Sequence, residues 1–174
     1  MLTLSVPNIT DEQFQQFCDQ YEDYQLEYTA DGNLLIFPCT DPRTDVRNAA
    51  IIAQLNVWAH KSKKGVSTGS SGLFHLQNGA RRSPDAAWMT MDRLDARPSC
   101  PQFVIELQAE AAKMHEWIAN GAELAWMIDS RTQTVTIYRP AQEPEVQTGI
   151  HQVAGEGPVD GFILSLEQVW RPGL

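Results

Sequence analysis

The sequence is poor in cysteine, and its three cysteines give no sign of a disulfide framework. Cys18, Cys39 and Cys100 are odd in number, lie far apart and form no C-x-x-C pair. This usage is typical of reduced thiols in a cytosolic protein. The four histidines show no metal-ligand spacing, so the sequence does not predict a zinc site.

Long apolar runs and an excess of positive charge are also missing. No stretch approaches the length of a membrane span, and residues 1–7 have no basic segment followed by an apolar one. We therefore expect a soluble, cytoplasmic protein without a membrane partner. The net charge of −9 argues against a protein that coats nucleic acid, because such binding rests on neutralised phosphates. It does not exclude a nuclease, since bound metal ions supply positive charge to a catalytic site.

The chain lacks internal repeats, low-complexity tracts and an evident linker. With 174 residues, of which 43% are hydrophobic and 20% charged, the composition predicts one folded domain over residues 1–174. Neither a G-x-S-x-G elbow nor a phosphate-binding glycine loop is present, which argues against an acyl-transfer or nucleotide-binding enzyme.

The periodicity predicts an α/β fold. Thr10 and Gln13 have the spacing of a capping box at the start of a helix over about 11–22, and two β-prone runs flank Asp31-Gly32 as a hairpin. A broad apolar face predicts a long helix over about 43–63, which Gly65 is expected to end.

A strand–helix–strand unit between Phe103 and Ile128 lies within a series of predicted hairpins. Because such a crossover joins parallel strands, we expect a mixed sheet flanked by helices.

Two carboxylates stand out in predicted strands of this sheet. Asp85 opens the strand at about 85–90, and Glu106 lies near the end of the apolar strand at about 102–108. If the strands are neighbours, the acids meet, and close carboxylates need a cation between them. Oxygen ligands of this kind suit Mg²⁺ or Mn²⁺. A turn role for Asp85 and an edge-strand position for Glu106 are the alternatives.

The order of several motifs resembles the Uma-two family of restriction-endonuclease-like proteins, within the PD-(D/E)XK nuclease superfamily. The matching blocks are Arg-Ser-Pro-Asp-Ala-Ala-Trp at 82–88, Pro-Gln-Phe-Val-Ile-Glu-Leu at 101–107, Lys-Met-x-Glu-Trp-Ile-x-Asn-Gly at 113–121 and Trp-Met-Ile-Asp at 126–129. The likeness runs from about residue 10 to residue 171.

This resemblance implies a restriction-endonuclease-like core and a catalytic set. It places the metal-binding acids at Asp85 and Glu106. Gln108 occupies the position of the superfamily's lysine, and Lys113 matches the lysine that relatives carry on the following helix. Glu27 is the best match for an additional acid. The segment between Gln108 and the helix, and the connection at 94–101, are shorter than relatives usually have.

The sequence leaves several of these roles open. Lys113 also fits a solvated helix face, and Glu27 also fits the surface of a hairpin. Arg81 and Arg82 are candidate phosphate contacts or members of a solvated face.

The sequence is therefore consistent with two functions. The first is a Mg²⁺- or Mn²⁺-dependent DNA endonuclease that hydrolyses phosphodiester bonds. The second is a catalytically impaired relative that binds nucleic acid or a protein, which the glutamine at position 108 favours because it cannot supply positive charge. A homodimer is a possible assembly.

Overall fold

A six-stranded mixed sheet forms the centre of the fold. The computed structural model describes residues 1–173. In spatial order the strands of this sheet are β11 (Glu145–Thr148), β10 (Thr134–Tyr138), β9 (Leu124–Asp129), β8 (Phe103–Leu107), β7 (Ala86–Met89) and β4 (Val66–Gly69). Strands β8 and β9 are parallel and are connected through helix α4 (Ala111–Ala119), as the strand–helix–strand pattern predicts.

A second sheet of five antiparallel strands packs beside the first. Its strands, in spatial order, are β1 (Leu2–Ser5), β3 (Asn33–Phe37), β2 (Gln25–Tyr28), β6 (Arg81–Arg82) and β5 (Phe74–His75). Strands β2 and β3 form the hairpin expected around Asp31-Gly32. A short pair, β12 (Gln152–Ala154) and β13 (Ile163–Ser165), follows near the C-terminus, with a 3-10 helix (Gly157–Val159) between them.

The two longest helices begin where the sequence provides side-chain caps. Helix α1 (Asp11–Gln20) has the complete Thr10–Gln13 capping box, and helix α2 (Pro42–Ser62) starts after Asp41, whose side chain accepts from the backbone of the first turn. Two further helices are short: α3 (Met91–Leu94) and α5 (Glu167–Trp170). Among residues 1–173, no helix is long and apolar enough to cross a bilayer.

The expected end of α2 at Gly65 was wrong. The helix ends at Ser62, and Lys63 takes the left-handed conformation with φ of 55°. Gly65 is required for a different reason, since a Cβ there would lie 2.2 Å from the carbonyl oxygen of Met89 on β7. This glycine therefore permits close approach to the sheet.

The two faces of the central sheet bury different helices. Phe103 and Ile105 of β8 pack in the cluster that contains residues of α2, whereas Val104 packs in the cluster that contains Met114 and Trp117 of α4. Side chains alternate along a strand, so Glu106 shares the α4 face with Val104. This alternation decides where the candidate site forms.

The α/β class and the mixed, helix-flanked sheet predicted from periodicity are confirmed. The pattern missed β1, β4, β6 and β12, which are short and carry few buried apolar side chains.

Candidate active site

Asp85 and Glu106 lie on the same face of the central sheet. In the antiparallel register of β7 and β8, Ala86 pairs with Ile105, and one further step places Asp85 opposite Glu106. The Asp85 Oδ2 atom accepts a hydrogen bond from the backbone N–H of Leu107 at 2.6 Å. The register therefore brings the two acids to neighbouring strands, and the charge of Asp85 contributes to the raised pKa of Glu106.

Glu106 is almost completely buried, with 3% of its surface exposed, because β8 is a central strand. Its Oε1 atom accepts from the indole N–H of Trp117 at 2.8 Å and lies 3.0 Å from Lys113 Nζ. Burial raises the pKa of Glu106 to about 7, although the positive charge of Lys113 opposes this rise. Burial also raises the pKa of Asp85, and the hydrogen bond from Leu107 opposes that shift.

Lys113 lies at the centre of the cluster. Its Nζ atom donates to Glu27 Oε1 at 2.8 Å and to the carbonyl oxygen of Ser83 at 3.0 Å. Burial disfavours the ammonium form, but the charges of Glu106 and Glu27 outweigh it and raise the pKa of Lys113 above its ordinary value. Lys113 is thus a fixed positive charge inside the site, and it does not lie on a solvated helix face.

Glu27 joins the cluster from the second sheet. It lies on β2 with 1% of its surface exposed, so a position on the hairpin surface does not apply. Besides Lys113, it accepts a hydrogen bond from the backbone N–H of Ser83 at 3.1 Å and from Arg82 at 3.1 Å. Strand β6 pairs with β2, and this pairing brings the Arg82-Ser83 segment to Glu27.

Arg82 connects two carboxylates. One nitrogen of its guanidinium lies 3.1 Å from Glu27 Oε2, and its Nε lies 2.5 Å from Glu116 Oε2. Glu116 also accepts from the side-chain amide of Asn78 at 2.9 Å. Glu116 lies outside the roles that the sequence motifs predicted, although its spacing of three residues from Lys113 puts both on one side of α4.

Arg81 is directed away from this cluster. Its guanidinium carbon lies 4.9 Å from the ring centre of Phe14 and 5.1 Å from that of Tyr28, and its side chain is paired with Asp11. Only 8% of the Arg81 side chain is exposed. The structure thus corrects the sequence-based proposal of a phosphate contact or a solvated face at this position, because the guanidinium is enclosed between aromatic rings.

Gln108 also lies apart from the carboxylates. Its side-chain amide donates to Ser130 at 3.2 Å, and its backbone has φ of 55° at the end of β8. The left-handed conformation turns the chain away from the strand direction, so the side chain does not continue the alternation that aims Glu106 at α4. Gln108 lines the neighbouring cavity, but Lys113 provides the cation next to the acids.

The cluster forms one wall of a cavity of about 730 Å³ between the two sheets, α2 and α4. Asp85, Glu106, Glu27, Lys113 and Arg82 all line it. From α2 comes Asn48, which the motif analysis did not select; its Oδ1 atom is buried and, within residues 1–173, has no hydrogen-bond partner. Surveys of binding sites find ligand pockets of about 300–1,000 Å³, so this cavity is large enough for a nucleotide unit.

The donor set fits a hard divalent cation, but the described residues do not form a closed metal cage. Within residues 1–173 no group of three or more Asp, Glu, His or Cys side chains surrounds a common point. Lys113 instead lies between Glu106 and Glu27. The ion-paired network contains the carboxylates of Glu27, Glu106 and Glu116 and the cations Arg82 and Lys113. In the described part of the chain Asp85 has no ion pair, although the positive charge of Lys113 opposes the rise of its pKa. With Asp85 included, the site has two more carboxylates than cations, which suits a divalent ion bound by oxygen ligands.

Comparison with solved structures shows that the overall fold has been seen before. The chain is similar to a crystal structure described as a "putative nuclease belonging to DUF820" from Anabaena variabilis ATCC 29413, with a TM-score of 0.70 and 17% sequence identity. The alignment covers 83% of this chain and 89% of the other. At this identity the likeness concerns the fold alone.

The family assignment is more specific. Residues 11–167 match the Uma2 family, which is described as "Putative restriction endonuclease". The chain therefore belongs to the Uma2 family, as the motif order indicated. No curated protein matches the sequence.

Proposed function

We propose that this protein is a Mg²⁺- or Mn²⁺-dependent endonuclease of the PD-(D/E)XK type that hydrolyses phosphodiester bonds in DNA. The observation that carries the proposal is the convergence of Asp85, Glu106 and Lys113 in one cluster on a cavity wall. Membership of the Uma2 family supports a nuclease, and we infer that residues 1–174 act as one domain.

The residues that would hold the metal are Asp85, Glu106 and the backbone carbonyl of Leu107. A bound Mg²⁺ supplies Lewis-acid activation of water and neutralises charge on the scissile phosphate. Burial of Glu106 in a central strand holds this ligand in one orientation, and the indole of Trp117 fixes its Oε1 atom. The protein thus contributes preorganised oxygen ligands whose negative charge is incompletely compensated by its own cations.

Lys113 has the second role in this proposal. Its ammonium group lies beside the metal-binding acids and is held there by Glu27 and by the carbonyl of Ser83. In this position it would orient the attacking water and stabilise the negative charge that develops on the phosphate oxygens in the transition state. Glu27 is the additional acid, and it acts by holding the lysine.

The test combines cleavage with metal binding. Wild-type protein, Asp85→Asn and Glu106→Gln are incubated with plasmid and linear DNA in Mg²⁺ or Mn²⁺, and Mn²⁺ binding is measured by calorimetry. We expect the wild type to cleave DNA, and we expect Asp85→Asn and Glu106→Gln to lose both cleavage and Mn²⁺ binding. Glu145→Gln is the control, since this partly exposed acid lies on an edge strand of the central sheet and should leave both measurements unchanged.

A nucleic-acid- or protein-binding module without catalysis is the second candidate. The observation in its favour is that Gln108 occupies the usual lysine position and bonds to Ser130. DNA binding by the wild type, without cleavage in either metal and without Mn²⁺ binding, would support this candidate and contradict the first.

A further inference from the structure

We propose that Arg82 is a positioning residue of this site, which holds Glu27 so that Glu27 can keep Lys113 beside Glu106. The inference rests on the proposed function and deepens it. It replaces the role of phosphate contact that the sequence suggested for Arg82. It also gives Glu116 a function, since Glu116 is the second carboxylate that Arg82 binds.

The geometry of the guanidinium is the first argument. It reaches Glu27 Oε2 at 3.1 Å with one nitrogen and Glu116 Oε2 at 2.5 Å with its Nε. Side-chain exposure is 10% for Arg82 and 1% for Glu27. A residue that contacts a phosphate backbone presents its N–H groups to the ligand. The Arg82 side chain instead directs N–H groups at two protein carboxylates on different elements, β2 and α4.

The backbone next to Arg82 is the second argument. The N–H of Ser83 donates to Glu27 Oε1 at 3.1 Å, and the carbonyl of Ser83 accepts from Lys113 Nζ at 3.0 Å. The Arg82-Ser83 segment therefore binds both Glu27 and Lys113, and Asp85 follows two residues later. Any displacement of Arg82 moves the backbone that contacts the lysine and leads to the first acid.

The charge balance is the third argument. Without Arg82, Lys113 would be the one cation left among residues 1–173 to balance the negative charge of Glu27, and Lys113 also pairs with Glu106. The lysine would then be drawn toward Glu27 and away from the acid where the metal would bind. A lysine at position 82 would keep the charge, but a single ammonium cannot reproduce a planar fork directed at two separate carboxylates.

The experiment compares Arg82→Lys and Arg82→Gln with Arg139→Lys. Arg139 is the matched control because it also bridges two carboxylates, Glu145 and Glu156, but these lie outside the cavity lining. For each protein we would measure cleavage, DNA affinity in Ca²⁺ at several salt concentrations, and thermal unfolding. The indole N–H signal of Trp117, assigned with Trp117→Phe, reports by NMR on the surroundings of Glu106 without requiring activity.

We expect Arg82→Lys to lower the cleavage rate about 10- to 100-fold, the usual effect of losing a residue that orients a metal ligand or its partner. DNA affinity and its salt dependence should stay at the wild-type values, and the Trp117 indole signal should shift. Arg139→Lys should leave the rate and the indole signal unchanged. If Arg82→Gln does not fold, Arg82→Lys and Glu116→Gln carry the test, and the latter should show the same pattern.

Two results would overturn the inference. One is an Arg82→Lys protein with wild-type cleavage and an unmoved indole signal. The other is an Arg82→Gln protein whose DNA affinity falls and whose salt slope drops by about 1, as expected for a lost phosphate contact. Failure of the proposed function is a separate result: the wild type would neither cleave DNA nor bind Mn²⁺, while the indole signal would still report whether Arg82 orders the cluster.

Discussion

Lys113 Nζ lies 3.0 Å from Glu106 Oε1 although the lysine belongs to α4 and the acid to β8. Strand β8 and helix α4 are joined by a connection of only three residues, from 108 to 110. In this chain the cation therefore reaches the acid from the next helix, and the strand itself provides none. The same ammonium contacts Glu27 on the five-stranded sheet, so one side chain of α4 contacts acids of both larger sheets.

Replacing Lys113 with methionine should affect catalysis and metal binding in opposite directions. We expect the cleavage rate to fall about 100- to 1,000-fold, because the positive charge that stabilises the negatively charged transition state is lost. Mn²⁺ should bind more tightly, because the ammonium no longer competes for Glu106 and Glu27. Single-turnover cleavage and calorimetry measure the two effects. Weaker Mn²⁺ binding in a folded Lys113→Met protein would contradict the competition.

Position 108 should be insensitive to substitution. Gln108→Ala removes only the hydrogen bond to Ser130, so the free energy of unfolding should change by less than about 1 kcal/mol and cleavage should be unchanged. Gln108→Lys should not replace the Lys113 ammonium, because the backbone at 108 turns the side chain away from the acids. Recovery of activity in the double variant Gln108→Lys, Lys113→Met would refute this assignment.

Arg81 should contribute to stability and not to DNA binding. In Arg81→Gln the contacts with the rings of Phe14 and Tyr28 are lost, and we expect the free energy of unfolding to fall by about 1–3 kcal/mol. Asp11→Asn should have a smaller effect, since Asp11 is largely exposed. Urea denaturation measures both. A change in DNA affinity in Arg81→Gln, at conditions where it is fully folded, would restore the phosphate role.

The raised pKa of Glu106 predicts a pH-dependent stability. Its pKa of about 7 in the folded protein exceeds the ordinary value of 4.5, so the protonated group favours folding below about pH 4.5 and this contribution is lost as the pH rises through 7. Without divalent metal, wild-type stability should therefore fall by about 2–3 kcal/mol relative to Glu106→Gln between about pH 5 and pH 8. Urea denaturation in EDTA across this range is the measurement. Parallel pH profiles of the two proteins would show that the pKa is not raised.

The sequence predicted the elements that place the acids because their patterns are local. The apolar run of β8, the Pro84-Asp85 strand start and the helix before Gly121 each follow from a few neighbouring residues. Alternation along β7 and β8 then carries Asp85 and Glu106 to one face. Four strands escaped detection, and β6 shows why: two arginines have no apolar signal, and only pairing with β2 and β5 makes them a strand.

The surroundings of the acids depend on contacts that no local pattern records. Glu27 and Lys113 are 86 residues apart, and a hairpin glutamate is more often exposed than buried. Arg81 and Arg82 are adjacent and chemically identical, yet alternation in β6 sends one to the aromatic rings of Phe14 and Tyr28 and the other to Glu27. Their separate environments are set by the tertiary contacts of β6 and not by the local sequence.

The pairing of β6 with β2 makes the candidate site a product of the complete chain. Glu27 and Arg82 come from the N-terminal half, whereas Glu106, Lys113 and Glu116 come from the β8–α4 segment. Contacts over such separations form only after long loops have closed. A shortened chain that ends before α4 would keep Asp85 but would lose Lys113, the cation that contacts Glu27 and Glu106. Neither half of the chain by itself therefore contains the complete site.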